Sequence, residues 1–314
     1  MTDIHRISLP LERTVPVNVW LLRGEPLTLV DTGPISEPAL AALEAGLHEL
    51  GLRIEDLELV LVTHQHADHA GLAATIRRRS GAEVAAHEYL AGYLEQFGER
   101  VAEDKAYFRR FLAEHGVPER LRGEESGYWG WLERSSEDCR PDVRLADGET
   151  VRAGGRDLRV LHRPGHSETD TLLVDEATGQ AFVGDHLLVT PAIAEMGPDR
   201  TKPLVRYLQN LRRLSAQDLA TLHTGHGDDV LDHRAAVTAR LQAADARCER
   251  VLGALKDGAA TAFAIASALW SAERVAWYPV LAVSEVVGHL ELLGERGLAA
   301  EEGETAARRY RAVA

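Results

Sequence analysis

The strongest constraint on the fold of this chain is a short apolar run that ends abruptly in a histidine-rich loop. Residues 57–62 read LELVLV and predict a buried strand, because large aliphatic and β-branched side chains dominate the run. The loop that follows contains His64, His66, Asp68 and His69. Three imidazoles this close together cannot all be buried without partners. Imidazole nitrogen and carboxylate oxygen are ligands for zinc and similar ions, so the loop predicts a metal site at a strand end.

The spacing within the loop divides the candidate ligands into two pairs. His64 and His66 are two positions apart in an extended loop, so both side chains can reach one ion. Asp68 and His69 lie on the following turn, where the chain enters a helix, and can reach a second ion close by. The loop therefore predicts a site for two ions.

The same pattern, a buried strand followed by glycine and a metal-competent side chain, recurs later in the chain. Strands of one sheet place their ends along a common edge, so these side chains are expected to converge there. Asp31 also ends an apolar strand, and its expected role is to orient a histidine ligand. The additional candidate ligands are His166, Asp185 and His226.

Alternating strands and helices predict a layered α/β fold. Residues 37–50 carry leucines at helical spacing, with Gly51 as the helix end. The segment from about 89 to 137 has helical periodicity, many aromatic residues and no strand pattern, and it predicts an inserted helical cap. Its aromatic side chains form either the cap's own core or the lining of a substrate pocket, and both alternatives stay open at this point.

After about residue 234 the composition changes to alanine- and arginine-rich helices, and residues 298–310 favour a short hairpin. Helices followed by a hairpin predict a small winged-helix-like domain. The expected organisation is therefore a catalytic domain over residues 1–235 and a second domain over residues 236–314.

Charge and cysteine content limit the class of protein. The net charge of −14 opposes a broad phosphate-binding surface, so nucleic acid is a disfavoured partner. Cys139 and Cys248 are too few for a disulfide framework and fit a reducing compartment. The N-terminus lacks a signal-peptide core, and no stretch has the length of a membrane span. We expect a cytoplasmic protein without a membrane partner; whether it is a homo-oligomer stays open.

The motifs resemble those of the metallo-β-lactamase-fold hydrolase superfamily, and they occur in the order found in that family. The resemblance implies an αββα sandwich with two divalent ions at one edge. It assigns His64, His66 and His166 to the first ion, and Asp68, His69 and His226 to the second, with Asp185 bridging them. The matching segments are residues 30–33 (VDTG), 63–69 (THQHADH), 164–166 (PGH), 184–185 (GD) and 225–227 (GHG).

The C-terminal residues resemble the winged-helix domain found in one branch of this superfamily. That branch contains glyoxalase II-like hydrolases, acyl-thioester hydrolases and an endoribonuclease-like group. Lactamases of the superfamily lack the bridging aspartate that Asp185 provides here. Flavodiiron proteins carry glutamate where His66 stands, so redox di-iron chemistry is not expected.

The resemblance leads to one main functional hypothesis and to alternatives. We expect hydrolysis of a glutathione- or coenzyme A-type acyl thioester by a water that both ions share, with Asp68 as ligand and acceptor of the released proton. Arg109, Arg110 and the cap aromatics are candidates for holding the carrier. The alternatives are a nuclease or phosphodiesterase, a lactonase and a non-catalytic metal-stabilised sensor. Zinc is the expected metal, iron and manganese also suit these ligands, and no organic cofactor is expected.

Overall fold

Two β-sheets form the centre of the protein. The computed structural model describes residues 3–12, 15–122, 128–187, 202–258, 260–302 and 307–313. The first sheet has the strand order β1-β2-β3-β4-β5-β6 and the second β11-β10-β9-β8-β7. The strands are β1 (Ile4–Leu9), β2 (Val17–Leu22), β3 (Thr28–Val30), β4 (Leu59–Val62), β5 (Glu83–His87), β6 (Val143–Leu145), β7 (Thr150–Ala153), β8 (Arg156–His162), β9 (Thr171–Asp175), β10 (Gln180–Gly184) and β11 (Thr221–Thr224).

The helices surround these sheets, and a separate two-stranded hairpin follows the last helix. The helices are α1 (Glu37–Glu49), α2 (Ala67–Ala70), α3 (Ala73–Ser80), α4 (Glu88–Glu95), α5 (Phe97–Glu114), α6 (Tyr128–Ser135), α7 (Pro203–Ser215), α8 (His233–Lys256), α9 (Ala262–Leu269), α10 (Ala272–Trp277) and α11 (Pro279–Glu295). The hairpin pairs β12 (Ala299–Glu302) with β13 (Arg309–Ala312), and residues 303–306 of the predicted hairpin lie outside the described residues.

The alternating side chains of β4 show how the layers form. Leu59 and Leu61 belong to the apolar cluster between the two sheets, together with Phe182 of the second sheet. Val60 and Val62 point to the opposite face and pack in the cluster that contains α1 and α3. The outer face of the second sheet packs against α7. A strand that is buried on both faces has a continuous apolar sequence, as β4 does. The layers follow the order helix, sheet, sheet, helix, which confirms the predicted αββα sandwich.

Strand direction brings the candidate ligands to one edge. The strands β3, β4 and β5 pair in parallel, so their carboxyl ends lie side by side. In the second sheet β10 is parallel to β11 and antiparallel to β9, which is antiparallel to β8. The ends of β8, β10 and β11 therefore share an edge. Each of these ends leads into one of the loops that the sequence singled out.

The helical cap lies between β5 and β6, as the sequence predicted. Its described aromatic residues mostly pack into one apolar cluster, and Phe108 and Phe111 are 1% and 4% exposed. These buried aromatics therefore belong to an apolar core that the cap shares with α7, α8 and α11, and the alternative of a pocket lining stays a prediction. Arg109 and Arg110 are exposed on α5. Neither arginine forms part of the cluster of candidate ligands, so the expected role in holding a carrier has no support from their placement.

The C-terminal elements occur in the predicted order of helices and then a hairpin. The helix α8 begins at His233, slightly before the expected domain boundary at residue 236. The helix α11 packs against α7, α8 and α5, and the backbone N–H of Phe263 donates to the carbonyl of His115 at 3.1 Å. The C-terminal elements thus share an apolar core with the cap and α7. Their identification as a winged helix stays a prediction, and no helix among the described residues combines the length and apolar character of a membrane span.

Candidate metal centre

The first group of predicted ligands comes together at the end of β4. The Nε2 atom of His64 lies 3.1 Å from Nδ1 of His66, and Nε2 of His166 lies 2.9 Å from the same Nδ1. One ring nitrogen of each residue thus points to a common space. The nitrogens of a tetrahedral zinc site are about 3.3 Å apart, given zinc–nitrogen bonds of roughly 2.0 Å. The three imidazoles are therefore close to the arrangement that holds one ion.

The second group lies directly beside the first. The Nε2 atom of His226 is 3.3 Å from Oδ2 of Asp68, and the candidate ligand atoms of these two residues and His69 lie within 4.8 Å of one another. Asp185 lies between the groups: its Oδ1 is 3.3 Å from Nε2 of His69, and its Oδ2 is 3.6 Å from Nε2 of His166. The structure therefore brings together all of the predicted ligands.

Hydrogen bonds on the far side of the rings orient three of the histidines. The Asp31 carboxylate accepts from Nδ1 of His69 at 2.8 Å and from the Thr63 backbone N–H at 2.8 Å. The Thr63 hydroxyl lies 3.1 Å from Nδ1 of His64, and Nδ1 of His226 donates to the Pro16 carbonyl at 2.9 Å. Each contact fixes the tautomer that leaves Nε2 free to accept an ion. The position of Asp31 supports the orienting role that the sequence predicted for it.

The sequence analysis did not identify one residue that supports the centre, Asp170. The buried carboxylate of Asp170 accepts the backbone N–H of His166 at 2.8 Å and that of Ser167 at 3.0 Å, which fixes the loop after β8. A possible signal was present, since a carboxylate four positions after a loop residue commonly accepts backbone N–H groups of that loop. Asp170 thus holds the loop that presents His166.

Unpartnered atoms provide a test of whether the residues fit a metal. Nε2 of His69 and Oδ1 of Asp185 are buried and have no hydrogen-bond partner within the described residues, although they lie only 3.3 Å apart. Buried polar atoms normally have partners, and an unsatisfied pair of ligand atoms is what an ion would complete. The donor set of imidazoles and carboxylates without a thiolate suits zinc, iron or manganese.

The electrostatics of the cluster also favour a cation. Burial would raise the pKa of Asp68, but the nearby His69 and His226 lower it to about 2. Burial works against a charge on His226, yet hydrogen bonds with Asp185 and Asp68 raise the pKa of His226 to about 10. By contrast, burial lowers the pKa of His66 to about 4, so its imidazole is neutral. The ionised carboxylates require positive charge, which protons or divalent ions can supply.

Glycine at position 225 is required by the close approach of two ligands. A Cβ atom at this position would lie 2.4 Å from Oδ1 of Asp185 and 2.5 Å from Cε1 of His69. Real Cβ atoms do not approach other atoms so closely, so a side chain here would displace both ligands. The glycine before His226, which the sequence showed only as part of a motif, therefore makes room for the centre.

A separate cleft of about 540 Å³ lies elsewhere, at an edge of the sandwich. Its lining includes Arg6, Trp20, Arg156 and His223, and none of the predicted ligands. The Trp20 indole N–H donates to the Thr224 carbonyl at 3.3 Å, so one wall of the cleft supports the strand that leads to His226. The predicted ligands therefore lie outside this cleft, at the edge where the strand ends meet.

Comparison with known proteins identifies the family. Residues 13–235 match the family model described as the metallo-beta-lactamase superfamily. The chain is 32% identical over 303 residues to the "Probable metallo-hydrolase YqjP" of Bacillus subtilis, covering 93% of this chain and 92% of that protein. It is 30% identical over 179 residues to the human "Acyl-coenzyme A thioesterase MBLAC2", which covers 54% of this chain and 57% of the thioesterase.

A solved structure is similar over almost the whole chain. The metallo-beta-lactamase family protein TTHA1429 from Thermus thermophilus has a TM-score of 0.84 and 29% sequence identity. The similarity covers 99% of each chain, so it includes the C-terminal helices and the cap as well as the sandwich.

Proposed function

Because this chain belongs to the metallo-β-lactamase superfamily and is a metal-dependent hydrolase, we propose that it cleaves acyl thioesters at a centre of two divalent ions, with zinc as the native metal. The observation that carries the proposal is the position of Asp185 between two complete groups of ligands. In this assignment His64, His66 and His166 hold one ion, and Asp68, His69 and His226 hold the other.

The residues of the chain have distinct roles in this reaction. Two divalent ions at such a centre supply a hydroxide nucleophile near neutral pH and polarise the carbonyl group. Asp68 is 18% exposed and is thus the most accessible carboxylate of the cluster. The Asp68 carboxylate would accept the proton that water loses when the hydroxide forms. Asp31 and Thr63 keep His69 and His64 in the tautomers that bind ions.

A thioester suits this set of residues better than a substrate with a poor leaving group. A thiolate leaves readily without protonation, so its departure needs no general acid. Within the described residues, every titratable group of the three candidate metal-binding clusters is already assigned as a metal ligand. The similarity to the human acyl-coenzyme A thioesterase supports the same class of substrate. That similarity covers only part of each chain, so the acyl group and the carrier are not inferred from it.

The nuclease alternative has weaker support. The tail from Arg308 to Arg311 is a basic cluster of the sequence, but Arg308 lies 3.2 Å from the carboxylate of Glu114, and Arg309 lies 3.8 Å from that of Glu302. These acidic partners offset the charge that would contact phosphates. We therefore place thioester hydrolysis ahead of phosphodiester hydrolysis.

The test combines metal analysis with an assay of thiol release. The purified protein should contain about two metal ions per chain and should release thiol from acyl thioesters, with turnover that is insensitive to salt. His66→Ala should lose both metal and activity, whereas His48→Ala, which removes an exposed imidazole on α1, should keep both. Two ions per chain without release of thiol would overturn the thioester proposal, and nucleic-acid cleavage that falls steeply with salt would then favour the nuclease.

A further inference from the structure

Three aromatic rings lie nearly parallel where β5 ends and α4 begins. The ring centroid of His87 is 4.3 Å from that of His162, and the centroid of Tyr89 is 5.1 Å from that of His162. The planes of the three rings differ by only 8° to 17°. We call these three side chains, His87, Tyr89 and His162, the ring platform.

The pairing of two parallel strands places His87 beside the loop after β4. Ala86 of β5 pairs with Val62 of β4, so His87 and Thr63 are the next residues at the two strand ends. Neighbouring strands are about 5 Å apart, and the residue after Thr63 is the predicted ligand His64. One histidine of the ring platform thus lies at the strand end next to the loop of the first ligands.

Hydrogen bonds join His162 to the other loop of the first group of ligands. Its Nε2 atom donates at 2.8 Å to the carbonyl of Glu168, two residues after the predicted ligand His166. His162 also pairs with Thr171 of β9, whose backbone N–H donates to the Thr63 carbonyl at 3.0 Å. The ring platform therefore borders both loops that supply the predicted ligands of the first ion.

Tyr89 gives the ring platform a face that is open to solvent. Tyr89 is 67% exposed, whereas His87 is 1% exposed. Every other phenylalanine, tyrosine or tryptophan whose side chain the structure describes is buried or half-buried. Burying an exposed aromatic ring against another ring is favourable, because it removes apolar surface from water. The one exposed ring of this kind thus lies close to the candidate metal centre.

The polar groups around the ring platform favour an uncharged partner. The Nδ1 atom of His87 accepts the backbone N–H of Tyr89 at 3.4 Å, and an imidazole that accepts a hydrogen bond is neutral. Arg163, the residue after His162, lies 3.3 Å from the carboxylate of Asp147. The charge of this arginine is therefore matched within the chain, and the platform presents ring faces to a ligand.

We propose that the ring platform stacks against a planar aromatic ring that the thioester substrate carries. Aromatic pairs stack with offset faces, and their attraction exceeds that expected from the buried area alone. A ring held on Tyr89 would position the substrate beside the loops of the first ion, where its carbonyl group must lie for hydrolysis. This inference rests on the proposed thioesterase function and specifies the class of substrate.

The ring can belong to the acyl group or, as adenine, to the carrier, and four substrates distinguish these sources. The 3-phenylpropanoyl and 3-cyclohexylpropanoyl groups have the same number of carbons, and only the first is aromatic. Each group is joined either to coenzyme A, which carries adenine, or to pantetheine, which carries no ring. The values of kcat/KM are measured for the metal-loaded native enzyme, Tyr89→Ala, Tyr89→Phe and the control Leu231→Ala, which removes an exposed side chain beside the separate cleft.

We expect Tyr89→Ala to lower kcat/KM by about 5- to 50-fold for the substrates whose ring stacks on the platform, and Tyr89→Phe to stay within about 2-fold of the native enzyme. Loss on both 3-phenylpropanoyl thioesters assigns the platform to the acyl group, and loss on both coenzyme A thioesters assigns it to adenine. All four proteins should hydrolyse 3-cyclohexylpropanoyl-pantetheine, which has no aromatic ring, equally well. The proposal is overturned by equal losses on all four substrates, by no loss on any, or by equal losses in Tyr89→Phe and Tyr89→Ala.

A binding measurement separates this inference from the proposed function. The four corresponding thioethers, which hydrolysis cannot cleave, are titrated into the metal-loaded native protein and Tyr89→Ala by calorimetry. The thioethers whose ring stacks should bind the native protein about 5- to 50-fold more tightly than the variant. If the native enzyme hydrolyses no thioester, the proposed function fails whatever the binding result. If it hydrolyses thioesters while Tyr89→Ala behaves as the native protein in both assays, only the ring platform fails.

Discussion

The Asp31 carboxylate accepts a hydrogen bond from Nδ1 of His69 at 2.8 Å, and both side chains are buried. The backbone of Asp31 has φ +59°, a conformation that asparagine also tolerates. The substitution Asp31→Asn therefore changes the charge beside His69 with little backbone strain. This substitution therefore tests the binding of the proposed second ion without replacing a predicted ligand.

We expect Asp31→Asn to weaken the binding of the second ion by about 10- to 100-fold. The Asp31 carboxylate orients the His69 imidazole and makes it more basic, and the substitution removes both effects. The ion held by His64, His66 and His166 should be affected less. Titration with a chelator while bound metal is counted measures both affinities. Asp56→Asn, a change on the surface, provides the control, and equal weakening of both ions would contradict this role of Asp31.

Gly225→Ala should abolish binding of the second ion, since the added methyl group would lie about 2.4 Å from Oδ1 of Asp185. A matched substitution is Gly253→Ala, whose Cβ atom would meet nothing within 4 Å in the last turn of α8. That control should keep the metal content and should not lower the free energy of unfolding, because alanine favours a helix over glycine by up to about 1 kcal/mol. Metal analysis and urea unfolding of the two variants check this prediction, and an unchanged metal content in Gly225→Ala would contradict it.

Asp104 predicts a dependence of stability on pH that is independent of the metal centre. Burial raises the pKa of this carboxyl to about 6 from a usual value of 3.8, despite a hydrogen bond from the Tyr93 hydroxyl at 2.7 Å. Between these two values the folded chain binds a proton that the unfolded chain does not, so folding gains stability as the pH falls. Above pH 6 the buried charge opposes folding.

Asp104→Asn should therefore be more stable than the native protein at about pH 7.5, by about 1–3 kcal/mol. The difference should shrink as the pH falls and disappear below about pH 4, where the aspartic acid is neutral in both states. Urea unfolding of the metal-free proteins across this range measures it, since the titration of the metal ligands then affects both proteins alike. A difference that stays constant with pH would refute the assignment to Asp104.

The buried aromatics of the cap should contribute to stability and leave the metal content unchanged. Phe108 is 1% exposed and contacts Phe111 and Trp129, each with ring centroids 6.0 Å away. We expect Phe108→Ala to lower the free energy of unfolding by about 3–5 kcal/mol. Tyr89→Ala, at a position that is 67% exposed, should lower it by about 1 kcal/mol or less. Loss of bound metal in folded Phe108→Ala would show that the cap supports the centre directly.

The predicted ligands were accessible from the sequence because the signal for each is local. His64, Asp185 and His226 each follow an apolar run of strand length, and the parallel order of the strands brings their ends together. Glycine or a turn residue marks each loop. A reader of the sequence therefore needs only the period of a strand and the ligand chemistry of histidine and aspartate.

The residues that sequence reasoning missed depend on packing between distant elements. Tyr207 reads as one apolar position on the stripe of α7, and only the contact with Gly165 shows that it adjoins the centre. In the same way, the apolar stripes of the C-terminal helices predicted a core, and they gave no sign that α11 packs against the cap and α7.

The last predicted ligand along the chain contacts residues at the start of one of the first strands. His226 donates to the Pro16 carbonyl, and the backbone N–H of Asn18 donates to the Gly225 carbonyl at 2.7 Å. Some two hundred residues must therefore be synthesised after β2 before His226 reaches its place, and the closing of so long a loop belongs to the late steps of folding. During translation, the loop after β4 emerges long before the centre can form. If the proposed centre holds two ions, the ion assigned to His226 can bind only after the sandwich is complete.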